Sequence, residues 1–394
     1  MRGHRFWSWL QSLPRHIVII GICIIWLIPA IGLFVTSMRH RQDVNETGWW
    51  TIFSQPQGTS EYTQYCGECH GSAGDAITEV ELFDPELIGS FTRSIQLRAL
   101  LNREINGGLH VPEDARPDDQ QLADILDHLK RESGITQRPR ITYRNYQDAL
   151  VGYRGTTSYA EDCAAGTQPT YYSCTFEDYF NERGMGRAFL NSLLVSIPAT
   201  IIPLLFAATA AYAFAWLDFR GRFVLFALLV GLQIIPLQMV LIPISRIYAD
   251  LGLNGTFFGV WLFHTGFGLP YAIFLTTVFI AALPRDLFES AYLDGASHWT
   301  AFWKLALPLS APALASLAIF QFLWVWNDLL VALVYLGGTK PVLTYQISNL
   351  VTSLGGGWHL LTAAAFISMA LPLAVFLLLQ RYFVRGLLAG SVKG

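Results

Sequence analysis

Six long apolar runs constrain this chain more than any other feature of its sequence. A helix rising 1.5 Å per residue needs about 20 apolar residues to cross some 30 Å of hydrocarbon. Runs of that length occupy residues 17–37, 188–216, 223–244, 257–282, 311–336 and 361–380. Charged residues make up only 14% of the chain, whereas soluble domains carry about a quarter. The sequence therefore predicts an all-α integral membrane protein with six spanning helices.

The basic residues of the short loops predict the orientation, because such residues collect on the cytoplasmic side. With the N-terminus inside, the inner segments contain Arg2, Arg5, Arg15, Arg220, Arg222, Arg285, Lys304, Arg381, Arg385 and Lys393. The short outer segments contain Arg39, Arg41, Arg246 and Lys340. Both termini are thus predicted inside and residues 38–187 outside. The first run has the basic flank of a signal peptide but no small-x-small cleavage site after it, so we interpret it as a retained helix.

Polar and helix-breaking residues interrupt these runs. Prolines, which kink helices, fall within them at Pro198, Pro203, Pro236, Pro243, Pro270 and Pro372. Such breaks persist in lipid where neighbouring helices or a cavity satisfy the freed carbonyls. Asn327 and Asp328 lie in the fifth run, where a carboxylate indicates either a substrate pathway or a structural hydrogen bond. The sequence leaves both alternatives open.

The loop 283–308, between the fourth and fifth runs, has the pattern of two short helices. Pro284 suits a first helical turn and Gly295 the left-handed residue after a helix. Ser297 suits the N-cap of a second helix, and Pro308 would end it. An amphipathic connector on the membrane surface would have this pattern, and so would an element that docks a cytoplasmic partner.

The residues of this loop resemble the EAA loop of binding-protein-dependent ABC importers. The matching positions, at the expected spacing, are Glu289, Ala291, Asp294, Gly295, Ala296 and Pro308. Ser290 departs from the second position of Glu-Ala-Ala, as one small residue for another. The stretch 308–316, the run Trp326-Asn-Asp-Leu-Leu-Val-Ala and the tail 380–394 resemble maltose-type permeases, with the alpha-glucoside branch most similar.

This resemblance covers about residues 1–55 and 140–394, and it implies an ATP-driven sugar importer in a bacterial inner membrane. It implies a coupling helix that enters a cleft of an ATPase dimer, with Glu289 facing a basic residue. A second permease subunit and a periplasmic sugar-binding protein are implied too, the latter reached by the loop 337–360 through Gly355, Gly356 and Gly357. The chain has no phosphate-binding G-x-x-x-x-G-K-[ST] loop, so ATP hydrolysis is expected on a partner. The net charge of −3 gives no argument for nucleic acid.

Residues 58–134 are polar and differ from the apolar runs. They contain Cys66-Gly-Glu-Cys69-His70, and C-x-x-C-H is the attachment signature of haem c. In it both thiols bond to haem and the histidine binds iron. Predicted helical stripes at 97–105 and 122–129 make the segment resemble a small class I cytochrome c. A haem would complete a core that is small for three helices.

The chain has no methionine between Gly71 and Met185 that could serve as the distal iron ligand. His110 is the preferred candidate, and His128 is predicted to be exposed to solvent. A Cys66–Cys69 disulfide and a small zinc site are alternatives to haem. Of the remaining cysteines, Cys163 and Cys174 are expected to form a disulfide outside the cytoplasm, and Cys23 to pack within the first span.

These patterns divide the chain into a first helix (1–57), a cytochrome-like insert (58–134), a periplasmic linker (135–187) and a five-helix permease core (188–394). The predicted function is sugar import by alternating access. The alternative is a membrane-anchored c-type cytochrome for electron transfer or redox sensing, although an anchor would need one span rather than six.

Overall fold

The computed structural model describes residues 2–46, 48–53, 58–71, 83–90, 97–98, 104–105, 108–109, 116–133, 141–154, 158–166, 172–350 and 357–391. Within these ranges, side chains are not described for residues 2–13, 42, 45–46, 69, 89, 104–105, 108–109, 119–120, 123 and 382–391. The chain divides into two compact units, Met1–Asn145 and Tyr146–Gly394. The first helix and the polar insert therefore share one unit, whereas much of the predicted 135–187 linker belongs to the unit that contains the permease core.

The first unit combines one long apolar helix with short helices and a small hairpin. Its elements are α1 (Arg2–Ser37), α2 (Arg41–Glu46), a 3-10 turn (Trp49–Phe53), α3 (Thr59–Tyr65), α4 (Gly67–His70), α5 (Pro85–Gly89), strands β1 (Glu104–Ile105) and β2 (Gly108–Leu109), and α6 (Asp119–Glu132). Cys23 was expected to pack within the first span, but its side chain is exposed on α1. The apolar residues around it on this helix are exposed as well.

The core of the insert forms where α3 meets α6. Its buried side chains are Tyr62, Cys66, Ile88, Leu97, Leu122, Ile125, Leu126 and Leu129. Asp118 caps α6 in a reciprocal capping box with Gln121. The predicted helix 97–105 is wrong at its end, since β1 pairs there with β2 in an antiparallel hairpin.

The second unit contains the remaining helices. They are α7 (Arg144–Val151), which begins in the first unit, α8 (Tyr159–Ala165), a 3-10 turn (Phe176–Phe180), α9 (Met185–Trp216), α10 (Arg222–Leu232), α11 (Leu237–Asp250), α12 (Phe257–Ala281), α13 (Arg285–Leu293), α14 (His298–Ala301), a π-helical turn (Phe302–Ala306), α15 (Leu307–Leu309), α16 (Ala311–Trp326), α17 (Leu330–Tyr335), a 3-10 turn (Gly337–Thr339), α18 (Leu343–Ser348) and α19 (Trp358–Ser391).

Among the described residues, four helical segments are long and apolar enough to span a membrane: Pro14–Ser37, Met185–Trp216, Phe257–Ala281 and Trp358–Arg381. There are up to six candidate spans if each of two bent helix pairs counts as one span. The predicted run 223–244 is broken, because α10 and α11 meet at 99° around the turn that ends in Pro236. The run 311–336 is interrupted after Trp326, and α16 meets the preceding helical segment at 69°.

Most of the other prolines lie within continuous helices. A proline deprives the carbonyl four residues earlier of its amide donor. Three such carbonyls accept a side-chain hydrogen bond from another helix instead: Leu194 from Trp261 Nε1 (2.7 Å), Ala199 from Gln321 Nε2 (3.2 Å) and Ser368 from Trp326 Nε1 (3.1 Å). Gly268 makes room for the second bond, because a Cβ there would lie 2.6 Å from Gln321 Nε2. These prolines thus create acceptors that join α9 and α19 to α12 and α16.

Helix α9 separates two groups of loops. Near its N-terminal end, Asn191 Nδ2 donates to the carbonyl of Pro341 (2.8 Å) and Ser192 Oγ accepts from the amide of Leu343 (2.9 Å). Near its C-terminal end, Tyr212 and Trp216 contact the loop that contains α13. At 1.5 Å per residue the helix is roughly 48 Å long. The α13 loop and α18 therefore lie at opposite ends of the bundle.

Candidate functional site

The loop between α12 and α16 contains two short helices that meet at Gly295. This glycine has a φ of +84°, a left-handed conformation that ends α13. The amide of Gly295 donates to the carbonyl of Tyr292 and that of Ala296 to the carbonyl of Ala291, which satisfies the last turn. Ser297 begins the second helix by accepting the amide of Thr300 (3.2 Å). The helix–glycine–helix arrangement predicted from the sequence is confirmed in these residues.

The two prolines that flank the loop differ slightly from expectation. Pro284 is the N-cap of α13 rather than a residue of its first turn. Pro308 does not end the second helix, because helical structure continues to Leu309. The intervening π-helical turn, in which the amide of Leu307 donates to the carbonyl of Phe302, widens the backbone before Pro308. A wider turn accommodates a ring that would otherwise clash with the preceding turn.

Aromatic side chains attach this loop to the C-terminal end of α9. Phe288 is fully buried and stacks on Trp216 with ring centroids 4.0 Å apart. The hydroxyl groups of Tyr212 and Tyr292 lie 2.9 Å apart, and His298 Nδ1 lies 3.1 Å from the latter hydroxyl. Movement of the loop is thereby linked to movement of α9.

The opposite face of the loop is exposed. Glu289 and Asp294 present carboxylates, and the side chain of Leu293 is 89% exposed. Trp299 adds an exposed ring. An exposed apolar side chain flanked by carboxylates suits a partner that offers an apolar cleft with a basic group at its edge. Sequence reasoning identified Glu289 and Asp294 but missed Leu293 and Trp299.

Asn327 and Asp328 lie where α16 ends. Asn327 Nδ2 donates to the carbonyl of Leu323 within the same helix (2.8 Å). Asp328 Oδ1 accepts the amide of Val331 in the first turn of α17 (3.2 Å), while its Oδ2 lies 3.6 Å from Nε2 of the buried His264. Asp328 therefore combines a hydrogen bond to the start of α17 with a contact to another helix. His264 was missed, although it is the only histidine within 257–281.

Comparison with known proteins identifies the family. The profile of the family described as "Binding-protein-dependent transport system inner membrane component" matches residues 203–388. The osmoprotective compounds uptake permease protein GgtD of Synechocystis is 43% identical over 394 residues, which cover 100% of this chain and 95% of that protein. The alpha-glucoside transport system permease protein AglG of Rhizobium meliloti is 41% identical over 387 residues, 96% of each chain.

The chain belongs to this family of importer permeases. It is a non-catalytic, integral inner-membrane subunit, and the family implies an ATPase and a periplasmic binding protein as partners. A solved bacterial ABC transporter for alginate import is similar over 62% of this chain and 81% of its own, with 19% identity and a TM-score of 0.46. Because GgtD aligns over the entire chain, the alignment includes residues 58–134. The insert is thus part of a region aligned with another permease.

The segment before α9 in the permease is organised around Asp178. This carboxylate accepts hydrogen bonds from the amide of Cys174 (2.8 Å), the hydroxyl of Tyr159 (2.8 Å) and both the amide and hydroxyl of Ser173. Burial raises the pKa of Asp178, but these bonds outweigh it and leave the pKa below its usual range. A disulfide joins Cys163 to Cys174 across the same segment.

The glycines proposed to contact a binding protein are only partly described. Gly355 and Gly356 lie outside the described residues. Gly357 has a φ of +87°, and its carbonyl accepts the amide of Leu361 in the first turn of α19 (2.9 Å). The C-terminal glycine of the triplet thus fixes the start of the last spanning helix.

In the insert, Cys66 and His70 lie one helical turn apart and are both buried. Cys66 packs in a core with Tyr62 and Leu129, so this core is filled by the chain's own side chains. The side chain of Cys69 and all of His110 lie outside the described residues. Among the described residues, no group of three His, Cys, Asp or Glu side chains could hold a metal ion. The donor types at Cys66 and His70 fit a haem c attachment, whereas the packing around Cys66 would have to open.

The prediction that His128 is exposed is wrong. Its ring is buried with its centroid 4.9 Å from that of Tyr62, and its Nδ1 lies 3.3 Å from Thr59 Oγ1. Burial lowers the pKa of His128. The helical stripe places His128 at the edge of the apolar face, and the close approach of Gly58 to α6 covers that edge. Periodicity alone did not reveal this packing.

Proposed function

We propose that this permease imports an alpha-glucoside, or an osmoprotective compound of similar polyhydroxylated chemistry, by alternating access. The names of two relatives that align over nearly the whole chain support this class of substrate, one an alpha-glucoside permease and the other an osmoprotectant permease. An alpha-linked oligosaccharide of maltose type belongs to the same chemistry. Asn327 and Asp328, beside the interruption of the fifth span, are our candidates for residues of the pathway.

The proposed assembly contains this chain, a second permease subunit, an ATPase dimer and a periplasmic sugar-binding protein, in membrane lipid. We place both termini and the coupling loop 283–308 in the cytoplasm and most of residues 38–187 in the periplasm. The bias of basic residues supports this orientation. The same orientation is compatible with the fold, because the α13 loop and α18 lie at opposite ends of α9. Gly355, Gly356 and Gly357 would then face the binding protein.

The coupling loop carries this proposal. Phe288 secures its inner face to α9, while Glu289 and Leu293 on its outer face are exposed. In the proposed mechanism the ATPase holds Glu289, Asp294 and the turn formed by Ala291, Gly295 and Ala296. Closure of the ATPase dimer would then move α9 through the aromatic contacts.

The decisive experiment reverses the charge at Glu289. We expect Glu289→Lys to abolish substrate uptake and stimulated ATP hydrolysis while leaving the amount of permease in the membrane unchanged. Asp218→Lys is the matched control, because Asp218 is exposed near the same end of α9 and its ion pair with Arg222 is exposed too. Normal uptake by Glu289→Lys would refute the docking role.

We also propose that residues 58–134 would hold haem c through the thiols of Cys66 and Cys69, with His70 and His110 as candidate iron ligands. The motif and the donor types of Cys66 and His70 support this assignment. Bound haem would supply one-electron chemistry outside the cytoplasm. Family membership favours a transporter that carries such a group over the alternative of an anchored electron carrier. Redox sensing by the insert is compatible with transport.

Denaturing electrophoresis with haem staining tests this proposal. The purified permease should retain haem and show a Soret band, and Cys66→Ala with Cys69→Ala should remove both. His110→Ala should shift the iron toward high spin while haem stays attached. A colourless permease with full transport activity would refute haem attachment and leave the proposed importer intact.

A further inference from the structure

A cleft of about 720 Å³ opens at the N-terminal end of α9, away from the coupling loop. Three tyrosines line it, Tyr153 and Tyr172 from the segment before α9 and Tyr345 from α18. Arg183 and the amides of Gln346 and Asn349 also line it. Its lining is therefore aromatic and polar, and its volume is within the range of small-molecule sites, roughly 300–1,000 Å³.

Hydrogen bonds within the second unit hold this lining in place. Gln346 Nε2 donates to the carbonyl of Glu182 (2.8 Å), which joins α18 to the segment before α9. The hydroxyl of Tyr172 donates to the carbonyl of Gly152 (2.9 Å), and its ring contacts that of Tyr153 edge to face at 5.3 Å. The cleft is thus largely formed before a ligand arrives, which lowers the entropic cost of binding.

The chemistry of the lining favours a neutral polyhydroxylated ligand. The C–H faces of a sugar ring pack on aromatic rings, while its hydroxyls both donate to and accept from amides and guanidinium groups. Arg154 and Arg183 line the cleft, and the carboxylate of Glu182 lies 3.4 Å from the guanidinium of Arg187. The basic groups disfavour a quaternary ammonium compound, which aromatic side chains alone would attract.

We propose that this cleft is a glucoside-binding subsite of the permease itself, occupied before the sugar enters the transmembrane path. The inference rests on the proposed function, because the orientation given above puts the cleft on the periplasmic side. It adds a recognition step between release from the binding protein and passage between the helices. The subsite selects for hydroxyl-rich ligands through Tyr345 and Asn349.

Equilibrium binding of maltose to the complete transporter, in lipid nanodiscs and without binding protein or ATP, tests the proposal. Loss of one hydrogen-bonding or aromatic contact should weaken binding about tenfold. We expect that loss for Asn349→Ala, an exposed position, and for Tyr345→Ala. Tyr143→Ala, which removes a tyrosine that is 77% exposed in the other unit, should bind maltose normally. In uptake assays both cleft variants should raise KM and leave the maximal rate unchanged.

Several results would overturn the subsite. Equal maltose affinity in the cleft variants and the native protein would place binding elsewhere, and so would undetectable binding by a transporter that imports maltose normally. Glycine betaine binding in preference to maltose would contradict the ligand class. Weaker capture of the binding protein by Asn349→Ala, with unchanged maltose affinity, would make the cleft a protein-docking surface. By contrast, failure of the native transporter to import any glucoside would refute the proposed function.

Discussion

Truncation of Phe288 should separate the coupling loop from the bundle without unfolding the bundle. Phe288 is fully buried against Trp216, and no other residue of α13 is buried. Replacing a buried phenylalanine by alanine costs about 3–5 kcal/mol, the sum of lost transfer energy and the cavity. Since each 1.4 kcal/mol changes an equilibrium tenfold, the ratio of docked to undocked loop should fall more than about a hundredfold.

The assay is ATP hydrolysis by the reconstituted transporter with and without its binding protein. Phe288→Ala should lose the stimulation by binding protein and keep a basal rate. Leu287→Ala, on the same helix at a side chain that is 44% exposed, should retain it. Phe288→Leu should be intermediate, because it preserves most of the volume. Full stimulation in Phe288→Ala, with the variant intact in the membrane, would show that transmission does not pass through this contact.

Three further predictions concern other parts of the permease. Gly295→Ala should weaken the loop by about 1–2 kcal/mol, because the left-handed φ is costly for alanine. A Cβ at Gly295 meets no atom within 4 Å, so ATPase stimulation should recover in Gly295→Asn, which tolerates that conformation. Acid should destabilise the segment before α9, because folding lowers the pKa of Asp178. The contribution of this carboxylate to the free energy of unfolding is present above its unfolded pKa and is lost as pH falls through its folded pKa. Asp178→Asn should flatten that part of the melting temperature's dependence on pH. A cysteine at Ser297 should react with an impermeant thiol reagent only from the cytoplasmic side, and labelling from the periplasm would invert the orientation.

The spanning helices were predictable where apolar length and helical structure coincide, and less so where the chain changes direction. Hydropathy detects 223–244 as one run, because Gln233 and Pro236 hardly lower its average, yet α10 and α11 meet at 99°. The prolines of α9, by contrast, leave the helix continuous. The carbonyls that they free accept hydrogen bonds from Trp261 and Gln321, which lie on helices distant in sequence. Whether a proline breaks a helix thus depends on tertiary contacts that periodicity does not encode.

The candidate site was predictable to a similar extent. Local rules suffice for Gly295 and Ser297, since a left-handed residue and an N-cap depend on a few neighbouring atoms. The stack between Phe288 and Trp216 joins residues 72 positions apart, as their numbers show, and no local rule pairs them. The cleft was missed for the same reason. Its tyrosines come from separate segments, and only folding brings them to the same end of α9.

Helix α18 connects the proposed subsite to the interruption in the fifth span. Thr344 Oγ1 donates to the carbonyl of Asp328 (3.0 Å), the amide of Leu343 donates to Ser192 in α9 (2.9 Å), and Gln346 lines the cleft. A shift of α18 must therefore move α9 or the segment around Asp328 with it. Otherwise it breaks one of these hydrogen bonds, at a net cost of about 1 kcal/mol. A ligand changes such a balance only through its different affinity for the two arrangements. A difference of about 1.4 kcal/mol shifts their ratio tenfold, which exceeds the cost of one such bond. A ligand of the proposed subsite that binds the two arrangements with affinities differing by that amount would therefore bias the bundle from the end opposite the coupling loop.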